Sequence, residues 1–441
     1  MSTPTATVLN QVGSAATAWT TVNNAEALPG LLTPLTWSFW ERPIEVGLRA
    51  AFADMGVIPR REVRLPGSID ERSSAVFYGR YAGNVDRMRA YADLIPGTSG
   101  AALERQIFGS SRPDAPGGPS RRRWPAIAAR LPVAAARLPG RLRGTQASVH
   151  RWWASETASA DSDPARLTAL LLAAQRQFER AIRGHILATM LSQAAYQRVC
   201  ALVGACGEPG GELELTTGYG GLEESLVLGD MWEVSRHRLS LAEFLRRHGY
   251  HGPAEGELSS PSWRERPEAL HGTVESYTGL DEEQAPALVA ERRAATRRRA
   301  EAALLTGLGP LGRAQAGAVL RFGARHIPLR EVGKATFLRA VDVGRYAGFR
   351  LGRHLVAAGQ LDDPADAFLL TVPELADPAR ADIAEVVPVR RALRAEYGRY
   401  QLPEVWSGRP EPVLRQANAP ALGVGEKLAG LPVCPGVVEG R

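Results

Sequence analysis

The 441-residue chain carries a net charge of +6, with 44% hydrophobic and 23% charged residues, so it can bury a large core and has room for two or three domains. It has no run of 18 apolar residues and no basic-then-apolar leader, and Cys200, Cys206 and Cys434 lack the spacing of a zinc site or a disulfide framework. A membrane span and secretion are therefore not expected, and a cytoplasmic, reducing home is. Its basic residues are all arginine except Lys334 and Lys427, a bias that points to a GC-rich genome before it points to nucleic acid.

In chain order, the first marked stretch is Leu28-Pro-Gly-Leu-Leu-Thr-Pro-Leu-Thr-Trp-Ser-Phe-Trp40, read as a proline-stiffened loop. Its alternating aromatics and hydroxyls suit the wall of an apolar pocket with polar handles, or equally a loop that plugs its rings into a helical core. Ile44, Leu48, Ala51, Phe52 and Met55 recur at helical spacing and predict a helix over 43–55 that stops at Gly56. A short helix is predicted over 83–91, ended by Pro96-Gly97.

Residues 110–164 differ in kind, with many breakers and nine arginines against the single acid Asp114 between Arg112 and Arg151. With Trp124, Trp152 and Trp153 interspersed, the stretch could face an anionic surface, but the sparse aromatics favour a flexible insert with solvated arginines. Further on, helices are predicted over 166–182, 287–305 and 330–354, the first opened by Asp163-Pro164. Strand-like alternation is scarce. The expected fold is mainly α, a large irregular helical domain (1–109 and 165–425) interrupted by a flexible Pro/Arg-rich insert.

No phosphate-binding loop, nucleophile elbow or paired-histidine zinc helix occurs, and Gly218-Tyr-Gly-Gly-Leu-Glu223 reads as a turn into a helix rather than a dinucleotide fingerprint. Three constellations remain. The loop after Phe244 gathers His248, Tyr250, His251, Glu255 and Glu257, types that can bind a metal, move protons, hold a phosphate or simply cap a tight turn. In Leu329-Arg-Glu-Val-Gly-Lys334, Arg330 and Lys334 share a helix face with Glu331 alongside, either an anion clamp or a surface ion-pair face. The third is the Thr33, Thr36, Trp37 and Phe39 stretch already described. No metal site is expected.

Taken in order, Trp19-Thr-Thr-Val-Asn-Asn with TPLTWSFW, Phe77-Tyr-Gly-Arg80, the HGYHGPAEGELSSPSW loop, LREVGKATFLRA and LGRHLVAAGQLDDPADAFLLTVPEL resemble the central helical region of the rifampin phosphotransferase and phosphoenolpyruvate synthase group. Such enzymes join an ATP-grasp domain, a helical acceptor-binding domain and a small swivelling domain with a phosphorylated histidine. LPVCPGVVEGR at the C-terminus resembles the opening of that swivelling domain, so 426–441 is expected to be its truncated start. Where the family has a Tyr-Gly-His-Arg-Gly run this chain has His248-Gly-Tyr-His-Gly252, with the imidazole displaced by one position to His251.

The resemblance implies a phosphotransferase part that receives phosphate from ATP, with Mg2+, through a phosphohistidine supplied in cis or in trans. The chain itself would hold no cofactor and be inactive alone. His251 or Glu255 would take the acceptor's hydroxyl proton, and Arg330 and Lys334 would neutralise phosphoryl charge. Thr33, Thr36, Trp37, Phe39, Tyr78, Tyr250 and Glu331 would line the small-molecule pocket. The alternative is a stand-alone, non-catalytic protein that sequesters a small molecule. Nucleic acid is not an expected partner.

Overall fold

The computed structural model describes residues 8–22, 28, 30–158, 163–206, 211–220, 223–380 and 382–415; the expected 426–441 unit, with Lys427 and Cys434, lies outside them. Among the described residues the chain forms fourteen α-helices and six short strands, the mainly α fold that the scarcity of alternation predicts. Helix α1 (Pro34–Met55) and the short α2 (Val85–Ala92) and α3 (Gly100–Phe108) precede two long helices, α4 (Trp124–Ala158) and α5 (Pro164–Cys206). Next come α6 (Gly211–Thr216), α7 (Glu223–Ser235), α8 (Leu241–His248) and α9 (His271–Thr278). They lead to α10 (Pro286–Thr306), α11 (Pro310–His326), α12 (Leu329–Ala357), α13 (Val372–Ala376) and α14 (Ile383–Gly398).

Strands β1 (Ala18–Thr20), β2 (Ser74–Phe77), β3 (Arg80–Asn84) and β5 (Val405–Ser407) form one antiparallel sheet in the order β2-β3-β1-β5. Trp19 pairs with Asn84 on one side and Trp406 on the other, so the two ends of the described chain close on one another. The remaining two strands, β4 (Tyr400–Gln401) and β6 (Val413–Leu414), pair separately.

Helix α1 starts at Pro34, not Pro43. Thr33 takes extended backbone and its side chain accepts from Thr36 N–H, while Pro34 occupies the first turn. TPLTWSFW is therefore the first turns of a helix rather than a loop. Pro43 disguised it, because a proline inside a helix lacks an N–H and strands the carbonyl four residues earlier, here that of Phe39. Gln175 of α5 replaces the missing donor: its Nε2 donates to Phe39 O at 3.3 Å and to Ser38 O at 3.0 Å.

The same device corrects the reading of 110–164 as a flexible insert. Residues 124–158 are α4, and Ile127, Ala134, Leu138, Leu142, Val149 and Trp153 are buried along it at helical spacing. Pro132 and Pro139 interrupt the pattern on paper. Pro139 leaves Ala135 O without its helical donor, and His326 Nε2 of α11 lies 3.1 Å from that oxygen. Trp153 Nε1 donates to the buried Asp342 at 2.7 Å, fastening α4 to α12.

The core lies where α1, α5 and α12 meet. Trp40, Phe178 and Phe337 cluster there, with centroids 4.5 Å apart for Trp40–Phe178 and 5.8 Å for Phe178–Phe337. Close approach of α12 needs glycine at Gly344, where an added Cβ would lie 2.9 Å from the Phe39 ring. Over Pro164–Ala205, α5 is long and apolar enough, by length and composition, to cross a membrane. In this fold it packs between α1 and α12, and its Arg183 pairs with Asp54 of α1 at 2.6 Å. Trp153→Ala should lower the unfolding free energy by about 3–5 kcal/mol, measured by urea titration. A loss within error would return α4 to the status of a mobile insert.

Candidate functional site

Helix α8 is capped by Ser240, whose side chain accepts from Glu243 N–H at 3.1 Å, and buries Phe244. The loop that follows, residues 249–266, is held by its own backbone and by α1. Trp263 N donates to His251 O at 2.7 Å, Arg264 N to Gly249 O at 3.0 Å, and Trp40 Nε1 to Gly256 O at 3.0 Å. Gly252 lets the loop fold on itself, since a Cβ there would meet Pro261 O at 2.8 Å. Glu257 is the anchor: its carboxylate accepts from Thr33 N, Thr33 Oγ1, Thr36 Oγ1 and Ser259 N at 2.7–3.1 Å.

That frame fixes His251. Its ring lies between Tyr250 (centroids 4.1 Å) and Trp263 (5.2 Å), and its Nδ1 bonds Glu255 Oε1. The Nε2 atom is buried with no hydrogen-bond partner among the described residues. From α12, Lys334 brings its Nζ to 3.7 Å from Glu255 Oε2 and 3.8 Å from Glu224 Oε1. A cavity of about 260 Å³ joins His251 and Glu255 of the loop, Glu331 and Lys334 of α12, and Glu223 and Glu224 at the start of α7.

Burial pushes the Glu255 carboxyl upward, but the hydrogen bond from His251 and the charges of His251 and Lys334 outweigh it and hold the group below its ordinary value. Glu331 goes the other way, raised by burial and by the charge of Glu224 against the pull of Arg330 and Lys334. A second imidazole–carboxylate pair lies beside the first, with His248 Nε2 2.8 Å from Asp230 Oδ2. Behind both, Arg339 lies 3.5 Å from Glu223 and stacks over the Tyr250 ring at 4.3 Å. Burial holds the Tyr250 phenol well above its ordinary value.

The structure thus brings together His251, Glu255, Lys334 and Glu331, with Tyr250 packed behind the imidazole. Arg330 lies 3.6 Å from Glu331 and is not among the residues that line the cavity. The hydroxyls of Thr33 and Thr36 are buried and committed to Glu257. Trp37 packs edge-on against Tyr81, and Phe39 against Phe178 in the core. Tyr78 sits in the β2–β3 turn with Tyr397 and Tyr400 around it and Arg409 donating to its hydroxyl at 3.2 Å. Glu223, Glu224 and Arg339 did not stand out in the sequence, because nothing local marks a glutamate pair on a distant helix as a cavity wall. Among the described residues no group of three or more His, Cys, Asp or Glu side chains is arranged to hold a metal ion.

With this geometry in place, comparison with known proteins is informative. Residues 221–331 match the family of the rifampicin phosphotransferase fourth domain. The match contains α7, the His251 loop and the start of α12, and ends three residues before Lys334. Over almost its whole length the chain is also similar to an uncharacterised protein of Mycobacterium tuberculosis and to one of Mycobacterium bovis. Each is 28% identical over 471 residues, covering 95% of this chain and 50% of the relative. The chain spans about half the length of the curated relatives it matches.

Two outcomes follow from the site's construction. Glu257→Ala orphans several donors that the carboxylate now satisfies, and should cost about 1–3 kcal/mol in urea unfolding; an unchanged midpoint would remove Glu257 as the loop's anchor. His248 and His150 both titrate below the ordinary imidazole value, chiefly through burial, which Asp230 only partly offsets for His248 and the charge of Arg339 reinforces for His150. The unfolded chain therefore binds more protons than the folded one below about pH 6.5, and stability falls as pH drops through that point. Thermal melts at about pH 7.5 and about pH 5.5 should show a smaller acid loss in His150→Gln than in the parent; equal losses would contradict the assignment.

Proposed function

We propose that the cavity around His251 is the acceptor site of a phosphotransferase of the rifampicin-phosphotransferase kind. The observation that carries this reading is the His251–Glu255 pair, inside the stretch similar to that enzyme's fourth domain, facing Lys334 just beyond it. Glu255 accepts a hydrogen bond from Nδ1–H and so fixes the tautomer, leaving Nε2 as the basic atom. Nε2 accepts the proton of an acceptor hydroxyl as its oxygen bonds to phosphorus and the phosphorus–nitrogen bond of a phosphohistidine breaks. Lys334 offsets charge on the transferring group. Arg330, outside the cavity lining, adds longer-range positive charge.

The lining also supports one kind of acceptor over others. Four glutamates, Glu223, Glu224, Glu255 and Glu331, surround one lysine. Such a wall receives hydrogen-bond donors and repels anions, so the acceptor is a hydroxyl-rich or cationic small molecule and the phosphoryl group arrives from outside. ATP and Mg2+ enter with an ATP-grasp unit, and the phosphohistidine with a swivelling unit, in cis or in trans.

The test mixes the 441-residue chain with those two units as separate proteins, ATP, Mg2+, and a panel of hydroxyl-rich and cationic small-molecule acceptors, and follows phosphorylated acceptor by mass spectrometry. Transfer should appear only in the full mixture, and His251→Ala should slow it about 10²–10⁴-fold while acceptor affinity persists. Parental transfer rates in His251→Ala would overturn the role of that imidazole. Acceptor binding with no transfer in any mixture would favour the sequestering protein.

A further inference from the structure

A cavity of about 950 Å³ lies in a trough between α1, α4 and α5 and shares no lining residue with the cavity around His251. Five arginines line it, Arg42 of α1, Arg141 of α4 and Arg176, Arg180 and Arg183 of α5, against the two acids Asp54 and Glu179. Both acids are already engaged. Asp54 pairs with Arg183 at 2.6 Å and lies 3.8 Å from Arg141, and Glu179 lies 3.7 Å from Arg42. Arg176 and Arg180, exposed and one turn apart on the same face of α5, pair with no acid among the described residues. Five guanidiniums against two carboxylates leave a surplus of three positive charges around the space. On the α4 side, Gly140 and Gly144 keep the trough open, because a Cβ added at either would meet nothing within 4 Å. The apolar part of the wall is aliphatic, with Val46, Val63, Leu138, Leu142 and Leu187, and no aromatic ring lines the trough.

We propose that this trough binds an amphiphilic diphosphate, a small molecule with a diphosphate head and an aliphatic body. Arg176 and Arg180 hold the head: guanidiniums without an acid partner give up no ion pair on meeting an anion, and two of them side by side match a group with several charged oxygens. Arg183 is oriented in advance, since its Nε and Nη2 both donate to Asp54, at 2.9 Å and 2.6 Å, which leaves Nη1 for the ligand. A surplus of three charges suits a diphosphate better than a single carboxylate, because each added anionic oxygen meets net positive charge. The body follows α5. Leu187 stands seven residues beyond Arg180, about 10 Å at 1.5 Å per residue, and Leu142 of α4 packs beside Gly184 on the way. A wall without an aromatic ring offers a nucleobase nothing to stack on, so the aliphatic body is favoured over a nucleotide. The proposal does not depend on the His251 reading.

The experiment is calorimetric titration of the 441-residue chain at low salt with geranyl diphosphate, sodium pyrophosphate and adenosine diphosphate in turn. Geranyl diphosphate should bind most tightly, at least about tenfold better than pyrophosphate, the worth of about two buried methylenes. Its affinity should fall as salt rises. Arg176→Ala with Arg180→Ala removes two exposed side chains, and the melting temperature checks that the double variant is folded. It should lose at least about tenfold in affinity for geranyl diphosphate, one pair of charge-assisted bonds by ordinary estimates. Gly144→Leu tests the space itself: leucine is the better helix former, so the melting temperature should hold or rise while the side chain enters the trough and weakens binding. Pyrophosphate or adenosine diphosphate binding as tightly as geranyl diphosphate would overturn the aliphatic body. Absence of geranyl diphosphate binding to the parent chain at millimolar concentration, or a folded double variant that binds as the parent does, overturns the site.

Discussion

The carboxylate of Asp342 is the point on which three parts of the molecule converge. It is fully buried in the middle of α12 and accepts from Trp153 of α4, from Arg264 of the 249–266 loop and from Arg345 one turn along its own helix. Burial drives its carboxyl upward, but the two guanidiniums and the indole outweigh that and keep it below its ordinary value. A buried ion cluster of this kind adds little net stability compared with an apolar replacement, yet removing one partner leaves uncompensated charge in the core. Its contribution is therefore geometric: α4 and the loop can dock on α12 in one register, and that register places His251 beside Lys334.

A second rule runs through the scaffold. Pro43 inside α1 and Pro139 inside α4 each strand a carbonyl, and each of these two carbonyls finds a side chain from a neighbouring helix, Gln175 for Phe39 and His326 for Ala135. The donors are more than 130 residues away in sequence, as their separations of 136 and 191 show. A local helix breaker thus becomes a tertiary fastener, since a carbonyl without its helical donor is left for a neighbour's side chain to satisfy.

That explains what could be read from the sequence and what could not. Helical periodicity identified the class and the run over 330–354, because the apolar spacing there is uninterrupted and its glycines permit close packing. It failed at 124–158, where the spacing from Ile127 to Trp153 is present but punctuated by Pro132 and Pro139, and the residue that makes up for Pro139, His326, lies in no local window. The same failure put the start of α1 at Pro43. In the site, His251, Glu255 and Lys334 were legible because each belongs to a short polar run, and the loop and helix that carry them are each continuous in sequence. Glu223, Glu224 and Arg339 come from elsewhere and acquire meaning only when α7 packs against α12.

The charges along α12 can be set against the helix's own dipole. Its amino-terminal end carries partial positive charge and its carboxy-terminal end partial negative charge, which favours acids near the first turn and bases near the last. Glu331 stands in the first turn, among Glu224 and Glu255, and Arg350 and Arg353 approach the end at Ala357. The dipole acts only over the terminal turns, which hold Glu331 at one end and His354 at the other, so it creates neither the acidic cavity around Lys334 nor the arginine-lined cavity against the later turns. The 249–266 loop crosses the helix between them, with His251 and Glu255 on the acidic side and Arg264 and Arg266 on the basic side. One loop against one helix thereby separates a cavity lined by four glutamates and Lys334 from one lined mostly by arginines, with the Asp342 cluster between them.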